Sequence, residues 1–211
     1  MADILIPTVA QGLMWALMAL GVYITFRVLD IADLSVEGSF PLGAAVAATA
    51  LVSGYGVTAA FLLAAVAGAL AGIVTGILTT KLKIPPLLAG ILTMIGLYSV
   101  NLHVMGKANV ALLRVDTVFS YAAGMGLTSD MAMMAVGLVG VMLVGVILYW
   151  FFGTELGTAI RATGCNSQMA RAQGVNTNSM IVLGLLISNA LVALSLSLIH
   201  ISEPTRLRRI S

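Results

Sequence analysis

GTELGTAIRATGCNSQMARAQGVNTNSM, residues 153–180, gathers Glu155, Arg161, Asn166, Gln168, Arg171, Gln173, Asn176 and Asn178 between two strongly apolar runs, 131–152 and 181–194. A polar segment of this length cannot sit in hydrocarbon, where nothing answers its hydrogen-bonding groups. It therefore reads as a loop on one membrane face, long enough to fold into short helices of its own. TAIRAT (158–163) and QMARAQ (168–173) favour helix, and Gly164 and Gly174 are expected to break the chain between and after them. Ala159, Ala162, Ala170 and Ala172 keep the side chains small, Met169 offers an adaptable apolar contact, and Arg161 and Arg171 supply a charged rim. The pattern is that of a docking surface; the plainer alternative is a solvated link between two spans.

The chain as a whole is 60% hydrophobic and only 9% charged, where soluble domains carry about 25% charged residues. Its mean hydropathy is +1.09. Apolar runs of about 20 residues recur, the length a helix needs to cross hydrocarbon, and the short alternating segments of a barrel are not seen. The expected fold is all-α, a polytopic transmembrane helical bundle of about five to six spans or half-spans. The 22 glycines and 12 methionines suit helices packed closely in lipid. Cys165 is the only cysteine, so neither an internal disulfide nor a cysteine metal site is available. His103 and His200 lie far apart in sequence, and no Ser-His-Asp arrangement is evident. Gly106-Lys107 is the nearest approach to a phosphate-binding GxxxxGK[ST], but the preceding Gly is missing and Ala108 replaces the hydroxyl residue. No catalytic residue, metal ligand, cofactor or ATP site is expected in this chain.

Residues 4–29 read as an apolar span and not as a signal peptide, since no basic leader precedes the run and no cleavage site follows it. RVLDIADLSVEGSFPLG (27–43) then places Asp30, Asp33, Ser35, Glu37 and Ser39 ahead of Pro41. The apolar run 42–53 that follows is too short to cross about 30 Å of hydrocarbon unaided. A broken helix is the natural reading: an irregular polar stretch enters the membrane edge, and a short helix continues from it. Such backbone survives at depth only when buried in protein or lining water. Asp33, Ser35 and Glu37 are thus candidates for a translocation path, against a plain turn with acidic caps. After a tight GYGV turn (54–57), Ala60, Ala64, Gly68, Gly72, Gly76 and Thr80 recur every fourth position of the next span. That small ridge admits another helix closely, and packing within one subunit is its expected use. In span 87–106, Ser99, Asn101 and His103 diverge around the helix axis. They mark an interfacial end or, in the sharper reading, put Asn101 on the path. Residues 107–130 are expected to include a short half-inserted helix near 118–123.

If the long loop is cytoplasmic, alternate crossings place Arg27, Lys81, Lys83, Arg161 and Arg171 inside and leave Lys107 and Arg114 outside. The positive-inside rule then sets the N-terminus outside.

Glu155-Leu-Gly157-Thr-Ala159-Ile-Arg161-Ala-Thr-Gly164, followed by Met169-Ala170-Arg171-Ala-Gln-Gly174, resembles the EAA-type cytoplasmic loop of ABC importer permeases. The likeness is to the branched-chain amino-acid and sugar permease group, although Leu156-Gly157 departs from the Glu-Ala-Ala opening. DLSVEGSFPLG (33–43) resembles that group's second-helix signature in its tryptophan/tyrosine-type branch, and KIPPLLAGILT (83–93) fits the same branch. The resemblance covers roughly residues 4–195. It implies a permease domain that forms the path for a small, amino-acid-like solute, aromatic or branched-chain. Glu155, Ala159, Arg161, Gly164, Met169, Ala170, Arg171 and Gly174 would then contact a separate ATPase subunit. It further implies a second permease subunit, an extracytoplasmic solute-binding protein, surrounding membrane lipid and a bacterial inner membrane, with no nucleic-acid partner. A secondary transporter with broken helices is the main rival, yet the spans lack the carboxylates or histidine expected of ion coupling. A membrane-embedded enzyme fits less well, for want of any nucleophile or base.

The net charge of +2 comes from Arg206, Arg208 and Arg209 less Glu203, the remaining charges cancelling. LSLIHISEPTR (196–206) resembles one reading frame of a transposase adapter used in sequencing libraries. Residues 196–211 are therefore read as a non-native tail, and the natural protein is expected to continue past about residue 195.

Overall fold

The computed structural model describes residues 2–106 and 129–202, and every element among them is helical. Helix α1 (Ala2–Tyr23) continues through a π-helical turn (Ile24–Val28). Then come α2 (Val36–Val52), α3 (Val57–Thr80), α4 (Pro86–Met105), α5 (Ser129–Gly153), α6 (Glu155–Cys165), α7 (Ser167–Ala172) and α8 (Thr177–Ser202). Five stretches are long and apolar enough to span a membrane: Thr8–Val28, Val57–Thr80, Pro86–Met105, Met134–Gly153 and Thr177–Ser197. Among the described residues α2 is also apolar, but at 17 residues it falls short of that length. The expected half-inserted helix near 118–123 lies outside the described residues, while α8 runs unbroken past residue 195 to Ser202.

The elements end where local chemistry stops them. Gly54 closes α2 at φ +85°, and Gly106 closes α4 at φ +59°, both left-handed and suited to glycine. Pro86 opens α4 at the first position, where its missing N–H costs nothing. One expectation needs correction. α2 does not wait for Pro41 but begins at Val36, with Pro41 inside it. The proline withholds one bond, from the carbonyl of Glu37, and Glu37 lies on the exposed side. The other flank is densely buried, from Val36 through Gly38, Ser39, Leu42 and the alanines to Leu51.

α8 is the axis of the bundle, with α1, α2 and α3 packed around it, α4 against α2 and α3, and α5 against α1. The small ridge of α3 makes its closest contact. A Cβ built at Gly68 would lie 2.5 Å from that of Ala193, and one at Gly76 would lie 2.9 Å from the Cα of Val182. At Gly72 a Cβ would run into the carbonyl of Leu185. Gly43 of α2 backs onto the carbonyl of Ala193, and Gly21 of α1 onto Val192 and the carbonyl of Ser188. Ala64, fully buried, packs with Ala47, Ala48 and Leu51 of α2. Three helices thus approach α8 nearly backbone to backbone, where dispersion and not water expulsion supplies the attraction in lipid. The outward sides carry large apolar residues instead, among them Leu92, Ile95, Leu143, Val146 and Ile147. Tyr149 and Trp150 stand almost free near the end of α5, as interface aromatics do.

Gly72→Ala should lower the thermal unfolding midpoint of the purified chain, by the equivalent of about 1–3 kcal/mol of overpacking. Gly96→Ala, where a Cβ meets nothing within 4 Å, should hold or raise it, since alanine gains about 1 kcal/mol of helix propensity. A melting series in detergent reads both signs.

Candidate functional site: a helical knob and the break beside it

The loop folds into two short helices seated on the bundle. Thr154 caps α6, its hydroxyl accepting from the Gly157 N–H at 3.4 Å, and Glu155 sits in the first turn where the helix dipole favours an anion. Gly157, Ile160 and Thr163 are buried at intervals of three, one face of an amphipathic helix. Ile160 is fully buried and packs with Ile24 and Leu29 at the end of α1 and with Phe151, Phe152 and Ile181. Gly157 presses on the carbonyl of Phe151, so the turn out of α5 is as tight as its backbone permits.

Gly164 does not break the helix, as sequence spacing suggests. α6 continues to Cys165, and Gly164 is needed because its missing side chain lets α6 rest on the carbonyl of Val28. The break falls at Asn166, extended at φ −158° and ψ 97°, whose side chain accepts from the Met169 N–H at 3.0 Å to start α7. Gly174 closes the loop at φ +86°. Arg171 Nη2 donates to Thr177 Oγ1 at 2.9 Å, and Asn176 Oδ1 accepts from the Ser179 N–H at 3.3 Å, so α8 begins already anchored. Of the residues expected to meet a partner, Glu155, Arg161, Met169, Arg171 and Gly174 are exposed, and Ala159 and Gly164 are half-buried. Ala170 is buried, and so seats the knob where the sequence reading offers it to a partner.

The same end of the bundle carries the turn between α1 and α2 and the turn between α3 and α4. Val28 lies under Gly164, and Thr80 and Lys81 share one cleft with Asn176, Asn178 and Ser179. Exposed Arg27, Lys81, Lys83, Arg161 and Arg171 therefore gather at one end, in the arrangement alternate crossings require.

Beside the knob the backbone is irregular from Leu29 to Leu34, with Asp30 left-handed at φ 55°. Asp30 and Ala32 of this stretch are exposed, Ile31 and Leu34 are half-buried, and Leu29 and Asp33 are buried. Asp33 is 1% exposed and Ser35 is 0%. Asp33 Oδ1 accepts from the Ser35 N–H at 2.8 Å, satisfying one orphan donor at the start of α2. Its Oδ2 accepts from Asn189 Nδ2 of α8 at 3.0 Å, and Asn189 Oδ1 accepts from Ser35 Oγ at 3.2 Å. The other Asn189 N–H reaches the Leu185 carbonyl at 3.1 Å, and neighbouring Ser188 donates to the Gly21 carbonyl at 2.6 Å. Gly90 of α4 closes the far side, a Cβ there lying 2.7 Å from the Leu34 nitrogen. Asn189 stands about 18 Å along α8 from Thr177, at about 1.5 Å per residue, which is mid-depth in a span.

Among the described residues the candidates for a path lie apart from one another, save Asp33 and Ser35. Asp33 and Ser35 join Asn189, while Glu37 is exposed on another side of α2. Asn101 is buried and donates to the Gly38 carbonyl at 3.4 Å, and its Oδ1 has no partner among the described residues. Ser99 and His103 are exposed. Asn189 and Ser188 escaped the sequence reading, though an Asn within an otherwise apolar span was the available signal.

Comparison with known proteins gives a consistent picture. A family model described as the branched-chain amino acid transport system / permease component matches residues 4–199. Among curated proteins, a tyrosine transport system permease protein of Clostridioides difficile is 41% identical over 194 residues, covering 92% of this chain and 63% of the relative. An uncharacterized protein of Rickettsia prowazekii is 34% identical over 193 residues, covering 92% of this chain and 66% of the relative. The chain thus spans just under two thirds of either relative. No solved structure matches it.

Asn189→Asp would set two carboxylates face to face in an interior that offers no cation among their partners. It should cost about 3 kcal/mol or more of stability. Combining it with Asp33→Asn restores an amide facing a carboxylate and should recover most of that loss, read as the coupling term of a double-mutant cycle.

Proposed function

The chain belongs to the family of branched-chain amino acid transport system permease components, and on that premise we propose that it forms the translocation path of an ATP-driven amino-acid importer. It is a multi-pass membrane protein whose family transports and does not catalyse. In our reading it pairs with a second permease subunit in a bacterial inner membrane, its N-terminus outside and α6–α7 in the cytosol. An extracytoplasmic binding protein delivers the solute. A separate ATPase subunit grips the knob through Glu155, Arg161, Met169 and Arg171, and hydrolysis there drives the spans. An aromatic amino acid is the proposed solute, on the strength of the relative named for tyrosine transport.

The observation that carries this reading is the seating of α6. One face is locked into the bundle through Ile160 and Gly164, and the other is exposed and charged. A loop that merely joined two spans would need neither the tight glycine contact nor the buried isoleucine. Force applied to the exposed face passes into the ends of α1 and α5 and, through Thr177, into α8. The buried carboxylate of Asp33 favours a second reading, an ion-coupled carrier. Uptake that follows an imposed proton or sodium gradient without ATP would select it.

The test is uptake by the full-length chain reconstituted with its ATPase subunits and binding protein. Arg161→Glu and Met169→Glu, both on the exposed face, should reduce ATP-dependent uptake by at least about tenfold, equivalent to about 1.4 kcal/mol of lost coupling. Neither should shift the melting temperature of the permease. Ala170 and Arg171 are poorer probes, since one is buried and the other holds Thr177. Wild-type uptake in both variants would remove the knob from the mechanism.

A further inference from the structure

Because α3 and α8 touch through glycine, their larger side chains stand to either side of the seam. At the end that carries the knob they leave a cleft of about 550 Å³, within the range of about 300–1,000 Å³ usual for ligand sites. Its mouth and its depth differ in chemistry. The cleft is an open groove: Lys81, Asn178 and Ser179 stand at its mouth, the end near the knob, and Ile73, Ile77, Val182 and Leu186 line its apolar shaft. Spacing by four residues puts Ile73, Ile77 and Lys81 on one ridge of α3, with Asn178, Val182 and Leu186 on the facing ridge of α8. From Lys81 to Ile73 the shaft descends about 12 Å, at about 1.5 Å per residue, into the apolar thickness of both spans. Thr80 spends its hydroxyl on the Gly76 carbonyl at 2.7 Å, so it adds little polarity below the rim.

The charge at the mouth has one sign. Among the described residues that line the cleft Lys81 is the one that carries charge, and no carboxylate accompanies it. The amino end of α8 opens beside it and adds its positive dipole. A soluble anion would leave the aliphatic shaft empty, and an uncharged acyl chain would leave Lys81 unanswered. A molecule with an anionic head and a hydrocarbon tail answers both, and basic pockets between spanning helices bind such headgroups. We propose that this cleft is a binding site for one anionic phospholipid. Its phosphate lies against Lys81 and Asn178, and one acyl chain lies between the Ile77 and Val182 ridges. The site stands whether or not the importer reading does.

The test uses the full-length chain, purified in mild detergent and titrated with phosphatidylglycerol or phosphatidylcholine, with bound lipid counted by native mass spectrometry. One phosphatidylglycerol should be retained, with a preference over phosphatidylcholine of about tenfold or more. Lys81→Glu should abolish the preference, and Leu186→Trp, which fills the shaft, should abolish retention of either lipid. Lys83→Glu, outside the cleft, should leave both unchanged. Three results would each overturn the proposal: equal retention of the two lipids, unaltered preference in Lys81→Glu, or no retained lipid at all. The last would mean that another part of the full-length chain or a second subunit covers the cleft.

Discussion

Hydrocarbon offers no water to an unpaired peptide group, and the break between α1 and α2 is where that constraint bears hardest. Six residues of irregular backbone would be untenable against lipid. They persist because Asp33 turns its carboxylate back on the Ser35 N–H, and because Asn189 meets the remaining oxygen from the middle of α8. An asparagine amide has one acceptor and two donor hydrogens, and here all three are engaged. One side chain therefore fixes the depth at which α2 begins, its rotation about α8, and the closeness of α4, whose Gly90 must leave room for the turn.

Much of this was legible in the sequence because lipid simplifies the code. Five long apolar helices, the polar loop and the four-residue glycine ridge follow from composition and period alone, since no soluble core competes for the same patterns. Pro41 was a poorer guide. A proline early in a helix marks no boundary when the carbonyl it strands faces outward, so α2 could start at Val36. Gly164 was misread for a related reason. Glycine signals either a stop or a close approach, and the choice rests on Val28, more than a hundred residues away. Asn189 was missed because a lone amide in an apolar run says nothing of its partner until the chain is folded.

The loop divides its labour by helical face. Burial of Gly157, Ile160 and Thr163 leaves Leu156, Arg161 and Ala162 outward, while α7 turns Ala170 in and Met169 out. The anchoring residues are small or β-branched, suited to a fixed seat. Apart from Ala162, the outward ones are long, charged or flexible, suited to a partner whose surface moves. Cationic side chains from two other turns gather at the same end, so the knob rises from a positive surface.

The glycine seam has a mechanical corollary. Where helices meet through side chains, rotamers can change and let one slide over the other; where they meet through main-chain atoms, nothing soft lies between them. With Gly68, Gly72 and Gly76 against α8, and Gly43 against the same helix, these three segments form a stiff plank. Any rocking of the molecule must therefore carry this plank as one piece.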